Sequence, residues 1–123
     1  MRDSPDAQQT GRAAEEQALL HLQRAGLKLL QRNWRCRLGE LDLVMLDGDT
    51  VVFVEVRFRR HQAWGGAAES VDSRKRARLS AAAEHFLQEH PRWRRNPCRF
   101  DVVAMSPGAL PQSLNWIQNA FDT

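Results

Sequence analysis

Between residues 40 and 58 the chain alternates apolar and polar side chains twice, on either side of an Asp47-Gly48 pair. Leu41, Leu43 and Met45 recur at every second position, and so do Val52, Val54, Val56 and Phe58. Period two marks half-buried strands, and Asp-Gly between two such runs marks a hairpin. The alternation predicts one core-facing side for those apolar residues and the opposite side for Glu40, Asp42, Glu55 and Arg57. A two-residue Asp47-Gly48 loop pairs Asp42 with Phe53 and leaves Glu55 diagonal to it. A four-residue loop ending at Thr50 pairs Asp42 with Glu55 directly. Either register keeps both carboxylates on one face, whereas a three-residue loop turns one strand's apolar side outward.

Elsewhere the period changes. Ala14, Ala18, Leu19 and Leu22 recur at helical spacing, with Thr10 as a candidate cap and Gly26 as a stop, which predicts a helix over 10–26. Glu15 lies beside that apolar stripe. Leu27, Leu29, Leu30 and Trp34 predict a strand over 27–35. The stretch after Phe58, with Trp64, Gly65 and Gly66, has no clear period and reads as a loop beside the acidic face. Asp72 or Ser73 can cap a helix over 73–89, whose stripe is Ala77, Leu79, Ala81, Ala82, Phe86 and Leu87. Phe100, Val102 and Ala104 alternate with Asp101, Val103 and Met105 in a strand over 98–106, which Pro107-Gly108 ends. A last strand or turn falls at about 113–119. The order helix, three strands, helix, one or two strands predicts an α/β fold, a mixed central sheet flanked by helices (α-β-β-β-α-β-β). A helix crossing over between strands implies that the fourth strand pairs in parallel.

With 123 residues the chain supports a single domain, here 11–121 behind a polar lead-in over 1–10 that is expected to be disordered and lacks a signal peptide's apolar centre. No apolar run approaches membrane-spanning length. Cys36 and Cys98 show no Cys-x-x-Cys spacing, and free thiols of a cytoplasmic protein are the expectation. His21, His61, His85 and His90 form no obvious metal-ligand pair.

Charge is uneven. Residues 1–56 carry 7 basic and 9 acidic side chains, and residues 57–100 carry 11 basic and 4 acidic. Three arginine-rich clusters account for the excess: Arg57, Arg59 and Arg60; Arg74, Lys75, Arg76 and Arg78; Arg92, Arg94 and Arg95. Solvated faces would explain each cluster singly. Three in one half of a small domain point to a polyanion, gripped through counterion release and forked hydrogen bonds. Lys75, Arg76 and Arg78 also crowd a helix start, where the macrodipole disfavours cations. Trp64 and Trp93 stand beside basic residues and are candidates for stacking on unpaired bases, with packing the plainer role.

Two carboxylates as close as Asp42 and Glu55 repel unless a cation or a shared proton intervenes. Carboxylate oxygens suit Mg²⁺ or Mn²⁺, which keep waters and bridge to phosphate. The plainer reading is one solvated face of a hairpin, where acidic residues are ordinary.

These segments together resemble the YraN-like family, an uncharacterised group similar to Holliday-junction resolvases and other PD-(D/E)XK nucleases. The resemblance covers about 11–121. It lies in Gly11-Arg12-Ala13-Ala14-Glu15 with Ala18, in Asn33 and Arg35, and in Gly39-Glu40-Leu41-Asp42-Leu43. It continues in Phe53-Val54-Glu55-Val56-Arg57, in Lys75 with Leu79, and in Arg99-Phe100-Asp101-Val102-Val103. It implies a restriction-endonuclease-like fold and phosphodiester cleavage in DNA, on branched or single-stranded substrates. By it, Asp42 and Glu55, with the Val56 carbonyl, would hold the metal, Glu40 would join the metal site by orienting water or a second ion, and Glu15 would be an accessory acid with the same task. Arg59, Arg60, Arg74, Arg76, Arg78 and Arg94 would track the backbone, and a homodimer would suit two-fold substrates. One departure stands out: the superfamily's Lys, two residues after the Glu, is Arg57. Arg stabilises charge and orients by hydrogen bonds but is not a base. Either Lys75 reaches back to take the role, or catalysis is lost and the fold only binds nucleic acid.

Overall fold

The computed structural model describes residues 7–58, 71–106 and 114–121. Helix α1 spans Ala7–Arg24, followed by strands β1 (Lys28–Cys36), β2 (Gly39–Asp47) and β3 (Thr50–Phe58). Helix α2 spans Ser73–Glu89, a 3₁₀ turn covers Pro91–Trp93, and β4 (Cys98–Met105) and β5 (Leu114–Phe121) close the chain. The expected element order holds, with β5 a full strand rather than a turn.

α1 begins at Ala7, so Thr10 lies within its first turn instead of capping it, and the helix takes up the end of the stretch read as lead-in. It stops where expected: Gly26 sits at φ 102°, and Leu27 N–H donates back to the Leu22 carbonyl, the pattern in which a left-handed glycine satisfies the last free carbonyls. α2 is capped by Asp72, whose side chain accepts from Lys75 N–H at 2.9 Å.

The strands form one sheet in sequence order, β1 to β5. β3 and β4 run parallel, as the α2 crossover requires, and the other neighbours are antiparallel. At the β2–β3 hairpin Asp47 pairs with Thr50. Gly48, at φ 63°, is the first of two turn residues, the place where a type II′ hairpin needs glycine. The pairing runs to Leu43 opposite Val54, so one more step sets Asp42 across from Glu55, the direct register of the two weighed.

Both faces of the sheet are buried. Leu43, Met45, Val52, Val54 and Val103 pack with Ala14, Ala18, Leu19 and Leu22 of α1. Leu41, Val44, Val51, Phe53, Phe100 and Val102 pack with Leu79, Ala82, Ala83 and Phe86 of α2. The expectation of a solvated acidic face is therefore corrected: Glu55, on the α2 side, is 5% exposed, because a sheet with a helix on each face leaves no wet side.

Leu41 also departs from the expected alternation. It does not share a face with Leu43 and Met45 but packs toward α2. The reason is a local reversal. Asn33 has φ 49°, a left-handed conformation that non-glycine residues seldom adopt. On either side of it, Arg32 reaches Glu16 of α1 while Trp34 packs edge-on to Phe86 of α2. Residues two apart on a regular strand share a face; here they do not. Their partners across the ladder, Leu43 and Leu41, are split in the same way.

Candidate active site

The reversal falls where β2 leaves β3. Beyond Leu43 and Val54 the two strands no longer pair, so the Val56 N–H has no β2 carbonyl to meet. The Asp42 carboxylate takes that place, accepting from Val56 N at 2.8 Å. The side chain is thereby fixed at the edge of the opening, half-buried, beside Glu55.

Glu55 is held from the other layer. Lys75 Nζ, in the first turn of α2, lies 3.1 Å from Glu55 Oε2, and Arg57 Nη1 lies 3.6 Å from the same oxygen. The cationic start of α2 thus has a use: it delivers an ammonium onto a buried carboxylate, while Asp72 restores an acidic group at the helix end. Gly39 makes the approach of the layers close, since a Cβ there would stand 3.2 Å from the Arg78 carbonyl oxygen.

Two cations facing Glu55 do not neutralise its neighbour. Burial pushes the Asp42 carboxyl up to about 8, with the Glu55 charge adding to the shift and the Val56 N–H opposing it. Glu15, half-buried on α1, is also raised, first by burial, and the charges of Glu40 and Glu55 add to this, while a hydrogen bond from Asn33 works the other way. Three carboxylates therefore feel one another across the end of the sheet. Among the described residues no three His, Cys, Asp or Glu side chains converge on one point. The pair Asp42 and Glu55 supplies oxygen donors only, and the Val56 carbonyl points to the same strand edge as its N–H. Such a set fits a hard cation that keeps most of its waters, as Mg²⁺ does.

Other sequence-predicted residues fall in different places. Glu40 pairs with Arg35 at 3.2 Å and acts on the cluster only through its charge. Arg74 and Arg78 are exposed on the first turns of α2, near the site. Arg76 is engaged inside the protein: its Nε donates to the Val71 carbonyl at 2.8 Å, and its guanidinium lies over the Phe121 ring. Arg94 follows the 3₁₀ turn, whose neighbour Asn96 bonds the Asp49 carbonyl at the hairpin tip. That end of β3, at Thr50, is five residues from Glu55, roughly 17 Å along the strand, so Arg94 does not belong to the site. Arg59, Arg60, Trp64 and the expected loop lie outside the described residues. Trp93 packs against the core with Arg92 over its ring.

Two residues matter in ways the pattern alone did not reveal. Asp101, fully buried, accepts from Arg99, from Trp116 Nε1 at 2.9 Å and from Asn119 N at 2.9 Å. It is satisfied on all sides and serves to tie β5 and the hairpin together. Asn33 is the second; an Asn within a strand, where that residue is disfavoured, was the available signal.

The fold is thus an α/β domain with a carboxylate pair, Glu55 buried and Asp42 half-buried, where two strands part. The chain belongs to the uncharacterised protein family UPF0102, whose model matches residues 14–105. It is 64% identical over 118 residues to a UPF0102 protein of Stutzerimonas stutzeri, covering 96% of this chain and 98% of that one. It is 63% identical over 124 residues to one of Pseudomonas aeruginosa, covering 99% of each. A third, from Ectopseudomonas mendocina, is 68% identical over 112 residues, 91% of this chain and 93% of that one.

Proposed function

We propose that this protein is a nuclease of restriction-endonuclease-like fold that hydrolyses phosphodiesters in DNA with Mg²⁺ or Mn²⁺. The reading is carried by one observation: Asp42 and Glu55 crowd together in a buried corner with Lys75 Nζ 3.1 Å from Glu55. Stability alone gives no reason to crowd a half-buried carboxyl against a buried carboxylate, where one of them must keep a proton to avoid repulsion. Asp42, Glu55 and the Val56 carbonyl would hold the ion, which when bound lowers the pKa of an attacking water and polarises the phosphate.

The remaining work falls to the chain. Lys75 occupies the role left open by Arg57, since its ammonium already sits on the ligand carboxylate and can orient a water beside it. Arg57 and Lys75 together stabilise negative charge developing on the phosphate, an effect worth about 10²–10³ in rate per well-placed donor. Arg74 and Arg78 grip neighbouring phosphates without reading sequence. Glu15 remains a half-buried acid at the cluster's margin, placed to steer a proton or a water.

The test is cleavage of single-stranded, flapped and branched DNA, with RNA alongside, in Mg²⁺, Mn²⁺ and EDTA. Metal-dependent cutting that Asp42→Ala and Glu55→Ala abolish is the expected result. A second reading, a nucleic-acid-binding protein that keeps the fold without catalysis, is favoured by Arg57 standing where the superfamily has Lys. Salt-dependent binding that survives EDTA, with no cutting in either metal, would establish it instead.

A further inference from the structure

We infer that Asn33 is a positioning residue for the carboxylate pair: its left-handed backbone turns the β1–β2 ribbon over and so carries Asp42 to the Val56 N–H. The inference rests on the reading of Asp42 and Glu55 as the site, and adds how that site is built.

Three observations meet at this residue. Asn33 stands between Arg32 and Trp34, whose partners are Leu43 and Leu41, so Asp42 is its counterpart on β2. The side chains of both strands change layers at that pair: Arg32 and Leu43 lie toward α1, and Trp34 and Leu41 toward α2. The β2–β3 ladder also ends there, with Leu43 opposite Val54 as its last pair. A ribbon of two paired strands cannot reverse on one strand alone, because the ladder hydrogen bonds hold the two backbones together. Asn33 at φ 49° is the one residue of β1 and β2 with positive φ, so the reversal has its source in β1. Its consequence in β2 is that Asp42 swings into the gap beside β3 and substitutes for a strand carbonyl at Val56. Without the reversal β2 would continue its regular pairing, Val56 N–H would meet a backbone oxygen, and Asp42 would be an ordinary side chain on one face.

Asn is suited to the task for a chemical reason. Among residues with a side chain, Asn and Asp best tolerate the left-handed region. Asp would add a further carboxylate beside Glu15, whereas the Asn amide can donate to it. Gly would allow the backbone and lose the amide.

The measurement is hydrogen exchange of the Val56 amide by NMR on the full-length, metal-free protein, with the Val54 amide as internal reference. In Asn33→Gly the Val56 amide should remain protected within about threefold of wild type, since Gly keeps the left-handed backbone. In Asn33→Val, where β-branching opposes positive φ, its protection should change by at least about tenfold while Val54 is unaffected. Asn33→Ala, a milder block to the same conformation, replaces Val if that variant does not fold. Unchanged Val56 protection in the folded Val or Ala variant overturns the inference, and so does an equal loss in Gly. This readout needs neither metal nor substrate, so it stands or falls separately from nuclease activity. Binding of Mn²⁺ by calorimetry gives the functional arm: Asn33→Gly should bind within about threefold of wild type, and Asn33→Val should bind at least about tenfold more weakly. Equal affinity in the two variants overturns the link to the site.

Discussion

Lys75 Nζ lies 3.1 Å from Glu55 Oε2, although one residue begins a helix and the other lies on a central strand twenty positions earlier in the chain. The contact places an amine at the carboxylate pair in a protein whose Arg57 has no basic form at ordinary pH. Lys75→Met should therefore reduce metal-dependent cleavage by about 10²-fold or more. Binding of Mn²⁺ should be unchanged or tighter, because a competing cation has been removed from Glu55. Loss of the ion pair should cost about 1 kcal/mol in urea unfolding, as Arg57 still faces the carboxylate. Arg57→Lys should alter cleavage by less than about tenfold, since the amine function is already supplied. A large gain in Arg57→Lys would show that Lys75 does not fill the role.

Asp42 couples stability to pH. In the folded, metal-free protein it keeps its proton up to about pH 8, against an ordinary aspartate value of 3.8. Between these values the native state holds a proton that the unfolded chain has released. The favourable contribution of neutral Asp42 is therefore complete below about pH 4 and is lost as pH rises toward 8. Asp42→Asn, neutral throughout and still able to accept from Val56, should gain stability relative to wild type by about 4 kcal/mol on going from pH 5 to pH 8.5. Urea midpoints of both proteins at the two pH values check this; a constant difference would contradict it.

The same proton must leave when a cation binds. At pH 7, uptake of Mg²⁺ or Mn²⁺ should release about one proton. Calorimetric enthalpies measured in buffers of different ionisation enthalpy count it directly, and Asp42→Asn should abolish both the proton release and the binding. Absence of any metal uptake by the folded wild type, with or without oligonucleotide, would remove the hydrolase reading.

Asp101 should behave oppositely. It is a buried carboxylate too, yet it is saturated by Arg99, Trp116 and Asn119. Asp101→Ala leaves the Arg99 guanidinium with Asp47 as its remaining ion partner among these contacts and should cost about 3–5 kcal/mol, as for other broken buried pairs. That loss should be the same with and without Mg²⁺, seen in urea unfolding.

The arginine clusters separate by position. Arg74→Ala and Arg78→Ala, on the helix turns beside the site, should each reduce the slope of log affinity against log salt by about 0.9 if they neutralise one phosphate apiece. Arg94→Ala, at the far end of β3, should leave the slope unchanged. Fluorescence anisotropy with a labelled oligonucleotide over a salt series measures all three.

The hairpin, both helices, the parallel β3–β4 pairing and the carboxylate pair were legible because they follow from local period and from short connections. Val52 and Val54 must share a face whatever the rest of the chain does, and a helix between two strands must cross over. The reversal at Asn33 was not legible. Alternation of Leu41, Leu43 and Met45 looks regular in the sequence, and only a backbone angle at a residue on another strand breaks it. The solvated face expected for Glu55 failed for a related reason: acidic residues in a strand look exposed until a second helix is laid across them.

Sequence alone determined which side chains this protein has to work with and roughly where along each element they lie, since secondary-structure period and turn chemistry act over a few neighbours. The tertiary structure decided which of them meet. Lys75 reached Glu55 while Arg94 did not, Asp42 found Val56 while Asp101 was consumed by Arg99, and each outcome depended on layer packing and strand register, which join residues far apart in the chain.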